Sequence, residues 1–249
     1  MGTAFRILLR GALRDRISLV WAVLFPVGLL AVLGSFFPDP AYRRHLVGGT
    51  VTLSSLFFAL SGTAFDVLAQ RNRGVYKLLR VTPLRTAAFV TALAAARGVV
   101  TLACAGAVLA AGAVAWHLPL GAAEILLLAP VLAVATFCFT LLGFTIGNLA
   151  GNEAQTAMLN NLLTLPMVFG SEVFYRLDRA PAWVQAASRV LPLSPALDGV
   201  RAALAGQPGD LLGPLAALAG FALLALGLAV VTFRWDPHAP LRRPSLQSG

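Results

Sequence analysis

The sequence predicts an all-α polytopic membrane protein. Six transmembrane helices are expected, with an N-terminal interfacial helix, a short cytoplasmic helix between spans two and three, and a re-entrant helical hairpin on the outer side. Three observations carry this. The 249 residues are 58% hydrophobic and only 12% charged, where an ordinary soluble domain carries about 25% charged residues. Mean hydropathy is +0.81, and several uncharged apolar runs approach or exceed the roughly 20 residues that cross a bilayer as a helix. The basic residues divide unevenly among the connecting segments, as cytoplasmic and outer loops do. One domain, residues 1–249, is the natural count.

The elements follow in chain order. Residues 4–16, AFRILLRGALRDR, place Arg6, Arg10 and Arg14 at spacing four, with Phe5, Leu8, Leu9, Ala12 and Leu13 on other sides of the wheel. That spacing predicts a helix lying along the membrane surface. Gly11 weakens it, and a disordered basic leader is the alternative. Residues 17–37 are too long for the roughly 7–15-residue core of a signal peptide and lack a clear small-residue cleavage site, so they read as an uncleaved first span. FPDPAYRRH links it to a second span at 46–68, the prolines stopping the helix. Spans at 87–115, 125–148 and 154–174 follow, joined by HLPLGAAE and NLAGNEAQ, and a sixth lies at 211–233. Between the last two, APAWVQAASRVLPLSPALDGVRAALAG has a helical apolar pattern interrupted by Pro192 and Pro195. Two short helices at 175–206, dipping into the outer leaflet, are one reading, since irregular backbone at membrane depth is tolerated where protein covers it. An external amphipathic loop is the other.

Charge sets orientation. The net charge is +9, and 19 residues are basic, Lys77 alone being lysine. With the N-terminus inside, twelve basic residues fall on the cytoplasmic side and six outside, Arg97 lying within span three. The bias places both termini in the cytoplasm. It also places there RNRGVYKLLRVTPLRT, residues 71–86, whose Arg71, Arg73, Lys77, Arg80 and Arg85 meet no acidic residue. Val75, Leu78, Leu79 and Val81 form an apolar side at helical spacing, and Thr82 before Pro83 ends the helix. Such a helix is a docking surface for an energy-supplying partner, or its charges only enforce topology. Contact with lipid is expected around the spans, and nucleic acid is not an expected partner.

No chemistry of catalysis is visible. There is no phosphate-cradling G-x-x-x-x-G-K-[ST], no H-E-x-x-H and no G-x-S-x-G. Cys104 and Cys138 sit in apolar runs and imply no disulfide framework. His45, His117 and His238 lack metal-ligand spacing. No cofactor, metal or catalytic residue is expected. The ionisable residues within the spans are Asp66, Arg97 and Glu172. Arg97 either snorkels to the interface or pairs with Asp66 on the neighbouring span. Glu172, near the outer end of span five, either borders an exit pathway, close to Arg176 or Arg179, or is a solvent-exposed interfacial residue.

The chain resembles the permease subunits of type-2 ABC exporters over essentially its whole length. One signature runs Arg71-Asn72-Arg73-Gly74-Val75-Tyr76-Lys77-Leu78-Leu79-Arg80-Val81-Thr82-Pro83-Leu84. The second comprises Asn160 and Asn161, Pro166, Phe174, Pro181, Trp183, Pro192 and Leu193, and Asp198 with Arg201. The resemblance implies an N-terminal elbow helix and a coupling helix at 71–83, with Arg71, Arg73, Gly74, Val75, Lys77, Leu78, Leu79, Thr82 and Pro83 facing a separate ATPase. It implies two ATPase subunits, a second permease copy or paralogue, and residence in the plasma or inner membrane. Glu172, Phe174, Pro192 and Pro195 are then expected at the pathway or outer gate. The substrate expected is lipophilic or amphiphilic: drug, antibiotic, lipid or glycan. Gln70, where the family often has an acid, and Glu172 depart from its pattern. A secondary carrier or channel of similar span count is the alternative function.

Overall fold

The computed structural model describes residues 6, 9–11, 13, 16–37, 39–74, 86–117, 121–173 and 181–233. They form a bundle of α-helices: α1 (Arg16–Phe36), α2 (Pro40–Leu56), α3 (Thr63–Asn72), α4 (Thr86–Trp116), α5 (Ala122–Leu149), α6 (Glu153–Gly170), α7 (Ala182–Arg189), α8 (Leu193–Leu204) and α9 (Leu212–Thr232). A π-helical turn, Phe57–Gly62, joins α2 to α3 without a break, and a 3-10 turn, Pro208–Leu211, leads into α9. Of the 4–16 helix, residues 6, 9–11 and 13 are helical.

Helix starts follow local chemistry. Asp39 Oδ1 accepts from Ala41 N at 3.2 Å and Pro40 occupies the first helical position, where its missing N–H costs nothing. The second apolar run therefore begins its helix at Pro40 rather than 46, and AYRRH is its first turn. Asn152 caps α6 by accepting from Gln155 N at 2.9 Å, while Gln155 Oε1 accepts from Gly151 N at 2.8 Å. That reciprocal arrangement satisfies two donors that the first turn leaves without partners. Pro192 stands at the N-cap of α8 and Pro195 in its first turn, both positions where an N–H has no intrahelical acceptor.

The long helix from Pro40 to Asn72 is the centre of the bundle. Its most apolar window is 72% buried, against 22% for those of α1 and α9. α5 packs on α3, α4, α8 and α9, and α2 packs on α1, α4 and α8. Close approach is bought by small residues. A Cβ on Gly143 would overlap the Leu60 carbonyl oxygen, and one on Gly147 would sit 2.6 Å from that of Ala64. The two glycines, four residues apart, thus lay α5 directly on the backbone of the π turn and α3. α9 buries Leu218, Ala222, Ala225 and Ala229 on its inner face, a narrow stripe that meets Cys138, Leu141 and Phe144 of α5. Its outer face exposes Leu223, Leu224, Leu228 and Val231, as a lipid-facing helix does.

Among the described residues, five helical stretches are long and apolar enough to cross a membrane: Leu19–Phe36, Pro40–Asn72, Val90–Trp116, Ala122–Leu149 and Pro208–Thr232. α6, where the sequence predicts the fifth of six spans, has 18 residues but is not among them. Its Thr156, Asn160 and Thr164 are buried while Met158, Leu162, Leu165 and Phe169 are exposed. α6 therefore has an inverted amphipathic pattern: polar stripe inward, apolar stripe outward.

Candidate functional site

The central helix decides where charge collects. At about 1.5 Å per residue its 33 residues span roughly 50 Å, well beyond the approximately 30 Å hydrocarbon core. Charged groups gather near both of its ends.

At the C-terminal end, Arg97 of α4 reaches Asp66 of α3, Nη2 to Oδ2, at 2.6 Å. Only 5% of the Arg97 side chain is exposed, against 36% for Asp66. Gln70 Nε2 donates to the same carboxylate oxygen at 2.7 Å, and the guanidinium lies 5.9 Å from the centre of the Phe58 ring. Of the two readings for Arg97, pairing is the geometry seen. Gln70, one helical turn after Asp66, orients the carboxylate. At the next residue, Arg71 Nη1 donates to the Asn148 carbonyl at 2.7 Å and Nη2 to that of Ala150. These belong to the last turn and C-cap of α5, where carbonyls lack intrahelical donors and a cation is favoured. Arg71 therefore fastens the end of α3 to the corner between α5 and α6. Arg73 is exposed, and Gly74 has φ of 72°, a conformation that glycine adopts without strain. Val75, Lys77, Leu78, Leu79, Thr82 and Pro83 lie outside the described residues.

Beside this end runs a groove of about 980 Å³ between α1, the π turn and α3. Trp21, Phe25, Phe57, Phe58 and Phe65 supply aromatic surface, and Asp66, Gln70, Arg73 and Glu153 supply polar groups. Phe25 and Phe57 meet edge to face at 6.1 Å. Ser61 Oγ, on the groove wall, has no hydrogen-bond partner among the described residues.

At the other end, Glu172 Oε2 accepts from Arg201 Nη1 at 2.6 Å, and Arg201 Nη2 also reaches the Glu172 carbonyl and, at 3.1 Å, His45 Nε2. One arginine thus joins the start of α2, the turn after α6 and the end of α8. Ser171 Oγ and Ser194 Oγ lie 3.0 Å apart, a second tie between that turn and α8. Glu172, Pro195 and Asp198 help to line a cavity of about 410 Å³ between α7, α8 and α9. Pro192 is buried beside it in the chain. Phe174, Arg176 and Arg179 lie outside the described residues. Sequence reading missed His45 in this cluster and the π turn beside Arg97. Residues 156 positions apart leave no mark on local pattern, whereas Arg201 stands with Asp198 in the second signature.

Long apolar helices with this burial pattern define an integral membrane protein. The chain belongs to the ABC-2 type transporter family, whose model matches residues 3–205. It is similar to Nodulation protein J of Rhizobium leguminosarum bv. trifolii, with 27% identity over 173 residues, covering 68% of this chain and 64% of that relative's length. The chain thus spans less than two thirds of that relative's length.

Proposed function

We propose that the chain is the permease subunit of an ABC exporter, moving an amphiphilic substrate across the cell membrane at the expense of ATP hydrolysed by two copies of a separate ATPase. A second permease, identical or paralogous, completes the pathway. α6 is the fifth of six spans, α7 and α8 form the re-entrant outer hairpin, and both termini are cytoplasmic. Within 71–83, where Arg71 and Asn72 close α3 and a turn follows at Gly74, the coupling helix is the part after that turn, with Val75, Leu78 and Leu79 seated in the ATPase and Arg73 and Lys77 at its rim. Glu172, Phe174, Pro192 and Pro195 border the outer gate.

The observation that carries the substrate class is the groove. Its volume of about 980 Å³ lies at the top of the approximately 300–1,000 Å³ usual for small-molecule sites. Its rings take an apolar body, and Ser61, Asp66 and Gln70 offer hydrogen bonds to a polar head. The test is to reconstitute the chain with its ATPase in proteoliposomes and measure ATP hydrolysis and efflux against a panel of amphiphiles. Stimulation by amphiphiles is expected, with Phe57→Ala and Phe65→Ala raising the half-stimulating concentration about tenfold, equivalent to roughly 1.4 kcal/mol. Efflux that proceeds without ATP would overturn the reading in favour of a secondary carrier.

A further inference from the structure

A separate cavity of about 390 Å³ lies between α1 and α4 and shares no lining residue with the groove or with the cavity beside Glu172. Val27, Leu30, Ala31, Ala111 and Gly112 form its apolar walls, and Arg43 and Trp116 stand at one end. Arg43 Nε donates to the Gly34 carbonyl at 3.1 Å, and its guanidinium lies over the Trp116 ring at 5.7 Å. Its two Nη groups have no hydrogen-bond or ion-pair partner among the described residues. Asp39, on the same turn, is exposed, and its Oδ1 caps Ala41 N. His45, two residues after Arg43, reaches Arg201.

The setting is a membrane boundary. The last turn of α1, the first turn of α2 and the last turn of α4 meet here. Tryptophan and arginine are the residues that sit where hydrocarbon gives way to headgroups. The cavity opens outward, since its wall residues Ala31, Ser35 and Ala115 are exposed. α1 flanks it with exposed Val20, Leu24 and Val32, a surface that lipid covers. An apolar slot with a cation at its interfacial end matches one kind of occupant: an acyl chain joined to a phosphate.

We propose that this cavity holds an anionic phospholipid, one acyl chain lying between α1 and α4 and the phosphate on the Nη groups of Arg43, with exposed Arg44 beside it. Arginine binds phosphate through paired charge-assisted hydrogen bonds, and basic pockets between spans recognise headgroups in this way. The lipid seals α1 against α4 where small side chains leave them apart.

The experiment uses the delipidated full-length chain, titrated with dioleoyl phosphatidylglycerol or with glycerol 3-phosphate, and counts adducts by native mass spectrometry. One phosphatidylglycerol per chain is expected to survive detergent removal and to raise the melting temperature. Arg43→Gln should weaken retention about tenfold, in line with the loss of a charge-assisted pair. Ala111→Leu, which fills the slot and leaves the charge, should weaken it as well. Circular dichroism checks that each variant is folded, and Arg43→Gln carries the test if Ala111→Leu is not. Retention equal to wild type in Arg43→Gln would overturn the proposal. So would equal binding of glycerol 3-phosphate, which would make the site one for phosphate and not for lipid.

Discussion

Among the described residues, Arg97 is held by one carboxylate. Its side chain is 5% exposed, and Asp66 supplies the countercharge at 2.6 Å. Removing Asp66 leaves a cation in an apolar setting. Asp66→Ala should therefore destabilise the protein by about 2 kcal/mol, less than the roughly 3–5 kcal/mol for breaking a fully buried pair, because solvent reaches Asp66 and screens the interaction. Thermal unfolding in detergent measures this. The exchanged pair, Asp66→Arg with Arg97→Asp, should regain part of the loss, and no recovery would show that Arg97 stands without its partner. The sequence made both residues visible as charges inside apolar runs. It left pairing and snorkelling open because register across a hairpin is not a local property. Glu172 was legible in the same way, but its partner was not: Arg201 is 29 positions away, and the His45 that Arg201 also reaches belongs to another span.

Helices were readable where composition alone decides them. The apolar runs that became α1, α4, α5 and α9 lie within a few residues of the expected spans, and the expected break between α7 and α8 falls at 190–192, earlier than Pro-Leu-Ser-Pro, whose Leu193, Ser194 and Pro195 already form the first turn of α8. Two features escaped that reading. Proline after Asp39 begins a helix instead of ending one, since capping is a property of geometry as much as of residue type. The π turn at Phe57–Gly62 has no compositional mark; it shows only against α5, where Gly143 admits its backbone. This contact predicts the response to small changes. Gly143→Ala drives a methyl into the Leu60 carbonyl and should cost about 1–3 kcal/mol by overpacking, with transport reduced. Gly106→Ala, where a Cβ meets nothing within 4 Å, should be silent or slightly stabilising. A silent Gly143→Ala would remove the close α5 contact from the account. Arg71 acts at the same scale: Arg71→Ala releases the carbonyls of Asn148 and Ala150 and should speed amide exchange at the α5–α6 corner while leaving α9 unchanged.

At the scale of the whole molecule, arginine asymmetry predicts that both termini lie in the cytoplasm. Single cysteines at Pro119 and Ala180 should react with an impermeant thiol reagent in intact cells, and one at Asn72 should not; Cys104 and Cys138 are buried. Labelling at Asn72 alone would invert the topology and with it the side on which Arg71 and Gly74 present the following segment. The central claim is that this segment, 71–83, docks on a separate ATPase. An aspartate at Leu78 or Leu79 would place a charge in the proposed apolar socket without a partner, while the basic flank that directs insertion is untouched. Replacing Arg73 alone should be milder, since rim charges affect encounter more than residence. The most direct measurement is copurification of the ATPase with membrane-inserted Leu78→Asp and Leu79→Asp variants, alongside efflux. Loss of the ATPase and of efflux at normal insertion is the predicted result; wild-type copurification and efflux in both variants would contradict the account.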